Sequence, residues 1–152
     1  MKDSELLALA RATATAAHVG QVDKSGHPYI THPLRVSERV RRRFPDAPAG
    51  VVAAALLHDV VEDTEVTVAA LLAAGFPSAV VDAVDAVTKR SGEPTEEYFG
   101  RVRANEWAVM VKTADIDDNT DLVRVAGLDD ATRERLAAKY QRARALLHPL
   151  AA

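Results

Sequence analysis

Alanine fills 29 of the 152 positions of this chain, and leucines and valines recur around it at three- and four-residue intervals. Alanine is the strongest helix former and gives a strand little side chain to pack, so this usage steers the chain toward helices. Valine is also frequent, but it falls at helical offsets rather than in alternating runs. The spacing predicts an all-α fold of about eight helices. A length of 152 residues suits a single compact domain with a real core, so one domain is expected over residues 1–152.

The turn residues divide the pattern. Asp3 or Ser4 caps a first helix that turns Leu6, Leu7, Leu9, Ala10, Ala14 and Ala17 inward and ends near Gly20. Gly20, Ser25, Gly26 and Pro28 mark a loop, and Thr31-His32-Pro33 starts a second helix because proline suits a first turn. That helix runs to about Arg43, and a third spans about Pro48 to Asp63. Thr67 caps a short fourth helix ending at Gly75, and Pro77 opens a fifth that reaches about Lys89. Helices follow at about Thr95 to Arg103, Glu106 to Ala126 and Asp129 to Leu147, the last capped by Asp129 or Asp130.

Composition removes several functions. With no cysteine the chain has no disulfide scaffold, thiolate zinc site or cysteine nucleophile. Its longest small-apolar run, residues 49–57, falls far short of the roughly 20 residues that cross a bilayer, so no membrane association is expected. Met1-Lys2-Asp3-Ser4-Glu5 lacks a signal-peptide core, and a cytoplasmic protein is expected. The net charge of −3 and the scattered aromatics speak against a nucleic-acid partner. The run Arg39-Val40-Arg41-Arg42-Arg43 reads as a solvated helix end whose cations complement the helix dipole. The oligomeric state is left open.

The segment Leu56-Leu57-His58-Asp59-Val60-Val61-Glu62-Asp63-Thr64 carries the chemistry. A His-Asp pair arises by chance about 0.4 times in such a chain, but acids at both following positions cut that to roughly 0.01. On one helix His58 and Glu62, and Asp59 and Asp63, are four apart and share a polar stripe. Carboxylates gathered this way repel unless a cation, hydrogen bonds or a proton offset them. A divalent metal answers this, with His nitrogen and Asp oxygen ligands suited to Mn²⁺, Fe²⁺ or Zn²⁺. Two adjacent residues cannot complete a shell, which directs attention to His32 and to Asp115, an acid set in the apolar stretch 108–111 and its continuation. Read singly, His32 is a helix-start histidine, Asp115 a solvated helix residue and Glu62-Asp63 a charged helix end; the ordered set is what points to a metal.

His18-Val19-Gly20-Gln21, Lys24-Ser25-Gly26-His27-Pro28-Tyr29-Ile30-Thr31-His32-Pro33-Leu34 and Ala53 to Thr64 resemble motifs of the HD-domain alarmone hydrolases. Val87-Thr88-Lys89 and Val111-Lys112-Thr113-Ala114-Asp115 with Asn119 continue the resemblance in order, over about residues 6–125. The nearest group is the hydrolase domain of the RelA/SpoT proteins and their small stand-alone relatives, which remove the 3′-pyrophosphate of (p)ppGpp with Mn²⁺. The resemblance implies His32, His58, Asp59 and Asp115 as metal ligands, Glu62 and Asp63 as the acids that handle water and protons, and Lys24, Tyr29 and Asn119 as nucleotide contacts. Lys112 and Lys139 are further candidate ammonium groups for phosphate.

Two segments depart from that pattern. Asp23 stands where the family commonly has arginine against the guanine, and Asp117-Asp118 replace a basic pair. Both changes predict weaker selectivity for a guanosine polyphosphate. Two alternatives to that substrate stay open: HD-type hydrolysis of another nucleotide, such as NADPH or a nucleoside phosphate, and a metal-bound nucleotide sensor without turnover.

Overall fold

The computed structural model describes residues 1–149, and these form α1 (Asp3–Ala17), α2 (Thr31–Arg43), α3 (Ala49–Leu57), α4 (Val60–Asp63), α5 (Val68–Ala73), α6 (Ser78–Val87), α7 (Thr95–Arg103), α8 (Glu106–Asn119), α9 (Leu122–Val125) and α10 (Asp130–Leu147). Among the described residues there is no strand, only an isolated antiparallel bridge between Val22 and Pro28. The all-α expectation holds. The call for about eight helices becomes ten among the described residues, because two of them are interrupted.

The axis of the fold is α3. Gly50 to Leu57 are buried on every side, which is how a helix apolar all round comes to rest at a core. It packs against α1, α2, α6 and α8. Gly50 permits one of these contacts, since a Cβ there would sit 2.6 Å from the Trp107 ring. Leu6, Ala10 and Ala14 of α1, Val36 and Val40 of α2, Val80 and Val84 of α6, and Val111 and Ile116 of α8 complete the core.

The interruptions lie where polar chemistry enters. The expected third helix stops at Leu57, and Asp59 adopts φ −103 and ψ 0 before α4 begins. The expected helix from Glu106 to Ala126 stops at Asn119, because Asp121 turns its carboxylate onto the N–H groups of Val123 and Arg124 and caps a new turn. At the N-terminus Lys2, rather than Asp3 or Ser4, is the capping residue. Thr67 and Asp129 cap α5 and α10 as expected.

The arginine run departs from its expected role as a solvated end. Arg39 bonds Asp118 and Asp121, and Arg43 bonds Asp117. The cause is the packing of α2 along α8, which sets a row of acids opposite the row of arginines. No described helix is long and apolar enough to cross a membrane.

Candidate functional site

His32 stands in the first turn of α2, His58 and Asp59 occupy the joint between α3 and α4, and Asp115 lies on α8. Packing α2 and α8 against α3 brings these four together. His32 Nε2 is 2.9 Å from Asp115 Oδ1 and 3.7 Å from Asp59 Oδ2. His58 Nε2 is 3.1 Å from Asp59 Oδ2 and 3.4 Å from Asp115 Oδ1.

Fixed partners set the orientation of both rings. His58 Nδ1 lies 2.6 Å from the carbonyl of Ala55, which can only accept, so Nδ1 carries the proton. His32 Nδ1 lies 2.7 Å from Asp118 Oδ2. Hydrogen bonds from His32 and Arg35 overcome the effect of burial and hold Asp118 well below the usual carboxylate range, so Asp118 also accepts. Each imidazole therefore presents Nε2 to the carboxylates of Asp59 and Asp115. His58 Nε2 is buried and without a hydrogen-bond partner. Lone pairs facing lone pairs repel, and a proton or a cation between them relieves this.

The groups respond to that crowding. Burial alone would lower His32, but its hydrogen bonds with Asp115 and Asp118 raise it. Burial would likewise lower His58, and the charge of Asp59 with hydrogen bonds from Asp115 and Asp59 raises it well above the ordinary value. Burial would raise Asp115, yet the Lys112 ammonium and the two imidazoles hold it well below. A buried set of two imidazole nitrogens and two carboxylates with no thiolate suits a divalent ion of intermediate hardness. His32, His58 and Asp115 offer donor atoms within 4.8 Å of one another, as do Asp59, Glu62 and Asp63.

The single polar stripe expected across residues 58–63 is replaced by two adjoining groups, because the backbone bends at Asp59. Glu62 and Asp63 follow on α4 and face the pocket. The Glu62 Oε1 accepts the backbone N–H of Lys89 at 2.7 Å. Burial, with the charges of Asp59 and Glu62, pushes the Asp63 carboxyl up to about 6. The Asp63 carbonyl accepts from Gln21 Nε2 at 3.0 Å, which ties α4 to the loop after α1.

A pocket of about 720 Å³ opens above this cluster, within the size range of small-molecule sites. Lys24, Tyr29 and Asn119 all line it. Tyr29 and Asn119 also brace the acids, the phenol donating to Asp59 Oδ2 at 2.5 Å and the amide to Asp115 Oδ1 at 3.1 Å. Lys24 is exposed at the tip of its loop.

The departures take unexpected places. Asp23 lines the pocket, but its Oδ1 accepts the N–H groups of Ser25 at 2.9 Å and His27 at 3.0 Å, so it latches its own turn. Asp118 is fully buried and gathers Arg35, Arg39 and Arg124 as well as His32. Asp117 binds Arg43 and Arg144. Neither of these acids lines the pocket. Sequence reasoning did not find the supporting roles of Asp118, Lys112 and Arg124. One available signal was the three-residue spacing of Asp115 and Asp118, which sets both on the α8 face toward α2.

The sequence pattern of the HD domain family matches residues 10–151. The guanosine-3′,5′-bis(diphosphate) 3′-pyrophosphohydrolase of Haemophilus influenzae is 34% identical over 134 residues, which are 83% of this chain and 19% of that protein. The Vibrio cholerae protein of the same name is 33% identical over 143 residues, 89% of this chain and 20% of that one. A GTP pyrophosphokinase of Myxococcus xanthus is 29% identical over 98% of this chain and 20% of its own length. The chain thus spans about a fifth of the length of these curated relatives. Among solved structures, a metazoan ortholog of SpoT described as hydrolysing ppGpp is similar with a TM-score of 0.79 and 25% identity, covering 97% of this chain and 88% of the other.

Proposed function

This chain belongs to the HD domain family, and on that premise we propose that it is a metal-dependent phosphohydrolase that removes the 3′-pyrophosphate of guanosine 3′,5′-bis(diphosphate). One observation carries the reading: two imidazoles with unprotonated Nε2 atoms meet two carboxylates beside a free acid pair, on the floor of a nucleotide-sized pocket. The names of the relatives and of the similar structure support the substrate. Residues 1–152 then constitute one HD-type domain. A cytoplasmic location goes with a nucleotide substrate.

In this reading His32, His58, Asp59 and Asp115 hold one divalent ion, taken to be Mn²⁺. The bound ion supplies Lewis acidity toward water and the phosphoryl oxygen. Asp63, with its carboxyl near neutrality, takes the proton of the attacking water. Glu62 is oriented by the Lys89 N–H through one oxygen and keeps the other for water or the leaving group. Lys24, Tyr29 and Asn119 contact the nucleotide, and the phenol and amide keep the ligand carboxylates in place.

A nucleotide panel with added Mn²⁺, assayed separately for phosphate and pyrophosphate, tests the activity. Release of pyrophosphate from guanosine 3′,5′-bis(diphosphate) is expected, and turnover of NADPH or nucleoside phosphates in its place would overturn the substrate. Elemental analysis tests the centre: His58→Ala should lose the metal, and equal metal content in wild type and variant would overturn the ligand set.

A further inference from the structure

The chain contains five lysines, Lys2, Lys24, Lys89, Lys112 and Lys139, and the last four line the same pocket. Elsewhere cationic work is left to arginine. Among the described residues Lys112 is the one lysine in an ion pair, at 3.0 Å from Asp115. Lys24, Lys89 and Lys139 have no carboxylate within ion-pair distance among the described residues.

These three come from distant parts of the chain. Lys24 is the tip of the loop between α1 and α2, where Asp23 latches the turn beneath it. Lys89 follows α6, and its backbone N–H is fixed on Glu62, so its position is set relative to the acid pair. Lys139 projects from α10. Burial and the charges of Lys112, Lys24 and Lys89 hold the Lys139 ammonium below its ordinary value. Like charges converging without a counter-ion, in a chain of net charge −3, stabilise the fold only when an anion arrives.

The pocket thus has two ends of opposite character, an acidic floor around Asp59, Glu62, Asp63 and Asp115 and a basic wall of lysines. We propose that Lys24, Lys89 and Lys139 form a second anion subsite, which binds a phosphate group of the substrate other than the one attacked at the floor. The identity of that substrate as a nucleotide rests on the phosphohydrolase reading; the anion subsite rests on the lysines. It would make the protein selective for nucleotides carrying two separated phosphate groups. Lysine suits this because it recognises phosphate as a mobile point charge, without the fixed fork that arginine imposes. The wall therefore accepts a distal group of varying length.

Calorimetric titration of inorganic pyrophosphate into the chelated, metal-free protein tests the subsite directly, since the floor then repels anions. Wild type should bind one pyrophosphate, Lys89→Gln and Lys139→Gln should each weaken it about 10-fold, and the double variant should lose it. Lys2→Gln, outside the pocket, should bind as wild type does. No binding by wild type, or equal affinity in wild type and the double variant, overturns the proposal. Kinetics add a second arm. Lys139→Gln should raise KM about 10-fold for guanosine 3′,5′-bis(diphosphate) while leaving guanosine 3′-diphosphate, which lacks the distal group, unchanged. An equal loss on both substrates also overturns it. If wild type hydrolyses neither nucleotide, the activity reading fails, and the pyrophosphate titration still decides the subsite.

Discussion

The floor and the wall of the pocket are built on opposite principles. At the floor almost every polar atom is engaged: Asp115 by Lys112, His32 and Asn119, Asp59 by Tyr29, and His32 by Asp118. On the wall, Lys24, Lys89 and Lys139 are exposed and unpaired among the described residues. Buried charge is tolerated only with partners, whereas an exposed ammonium is already satisfied by water. The floor is therefore part of the fold's own hydrogen bonding, and the wall is free to serve a ligand. Substitutions at the floor should disturb metal and stability together; those on the wall should leave the fold intact.

The sharpest way to break this contrast is to remove proton chemistry from the floor without touching the ligands. Glu62→Gln and Asp63→Asn should each lower kcat by about 10²–10⁴-fold while metal content stays at the wild-type level. Loss of the metal in either variant would make these carboxylates ligands. Full activity under saturating Mn²⁺ would remove them from the chemistry.

The next effect reaches the floor from behind. Asp118→Asn keeps an oxygen near His32 Nδ1 but removes the charge that fixes its proton, and Mn²⁺ affinity should fall about 10–100-fold. Excess Mn²⁺ should restore most of the activity, and an unchanged dissociation constant would show that Asp118 serves the arginines alone.

A smaller effect concerns pH. In the metal-free protein His32 and His58 are both raised, so the folded state retains protons that the unfolded chain has released. Their stabilising contribution is complete below the ordinary histidine value and fades as pH rises through the folded values. The Tm in chelator should therefore drop by several degrees from about pH 6 to about pH 9, and Mn²⁺ should cancel the drop by replacing the protons. A chelated protein whose Tm is flat over that range contradicts the assignment.

The smallest effect is expected at Asp23. Asp23→Arg removes two short hydrogen bonds from an exposed loop, for a loss of about 1 kcal/mol in unfolding free energy. Turnover of guanosine 3′,5′-bis(diphosphate) relative to an adenine counterpart then reports whether position 23 faces the base. An improved ratio supports the reading of this loop, and an unchanged ratio leaves Asp23 as a latch only.

Much of this was legible in the residue order. Alanine content and apolar spacing identify the helices, and Thr67 and Asp129 announce their caps, because both effects act within a few residues. His32, His58-Asp59 and Asp115 are found by residue type and order, and the fold brings them within a few ångströms. The bend at Asp59 was not legible. A continuous helix satisfies the local pattern from residue 48 to 63, and only the pull of four groups from three helices on one point favours the break.

What the sequence determined by itself, then, is whatever depends on neighbours along the chain: helical class, loop positions, and the types of donor available for a metal. Tertiary structure alone decided the partners of charged groups. Arg39 and Arg43 look like a solvated helix end until α8 sets Asp118 and Asp117 opposite them. Asp118 looks like a threat to a polyanionic ligand until it is found buried behind His32. Lys89 and Lys139 stand 50 residues apart and share no pattern until they meet at one pocket. The reason is physical: a helix hydrogen-bonds within four residues of itself, but the field at a charge sums over every group in reach, and only folding decides which those are.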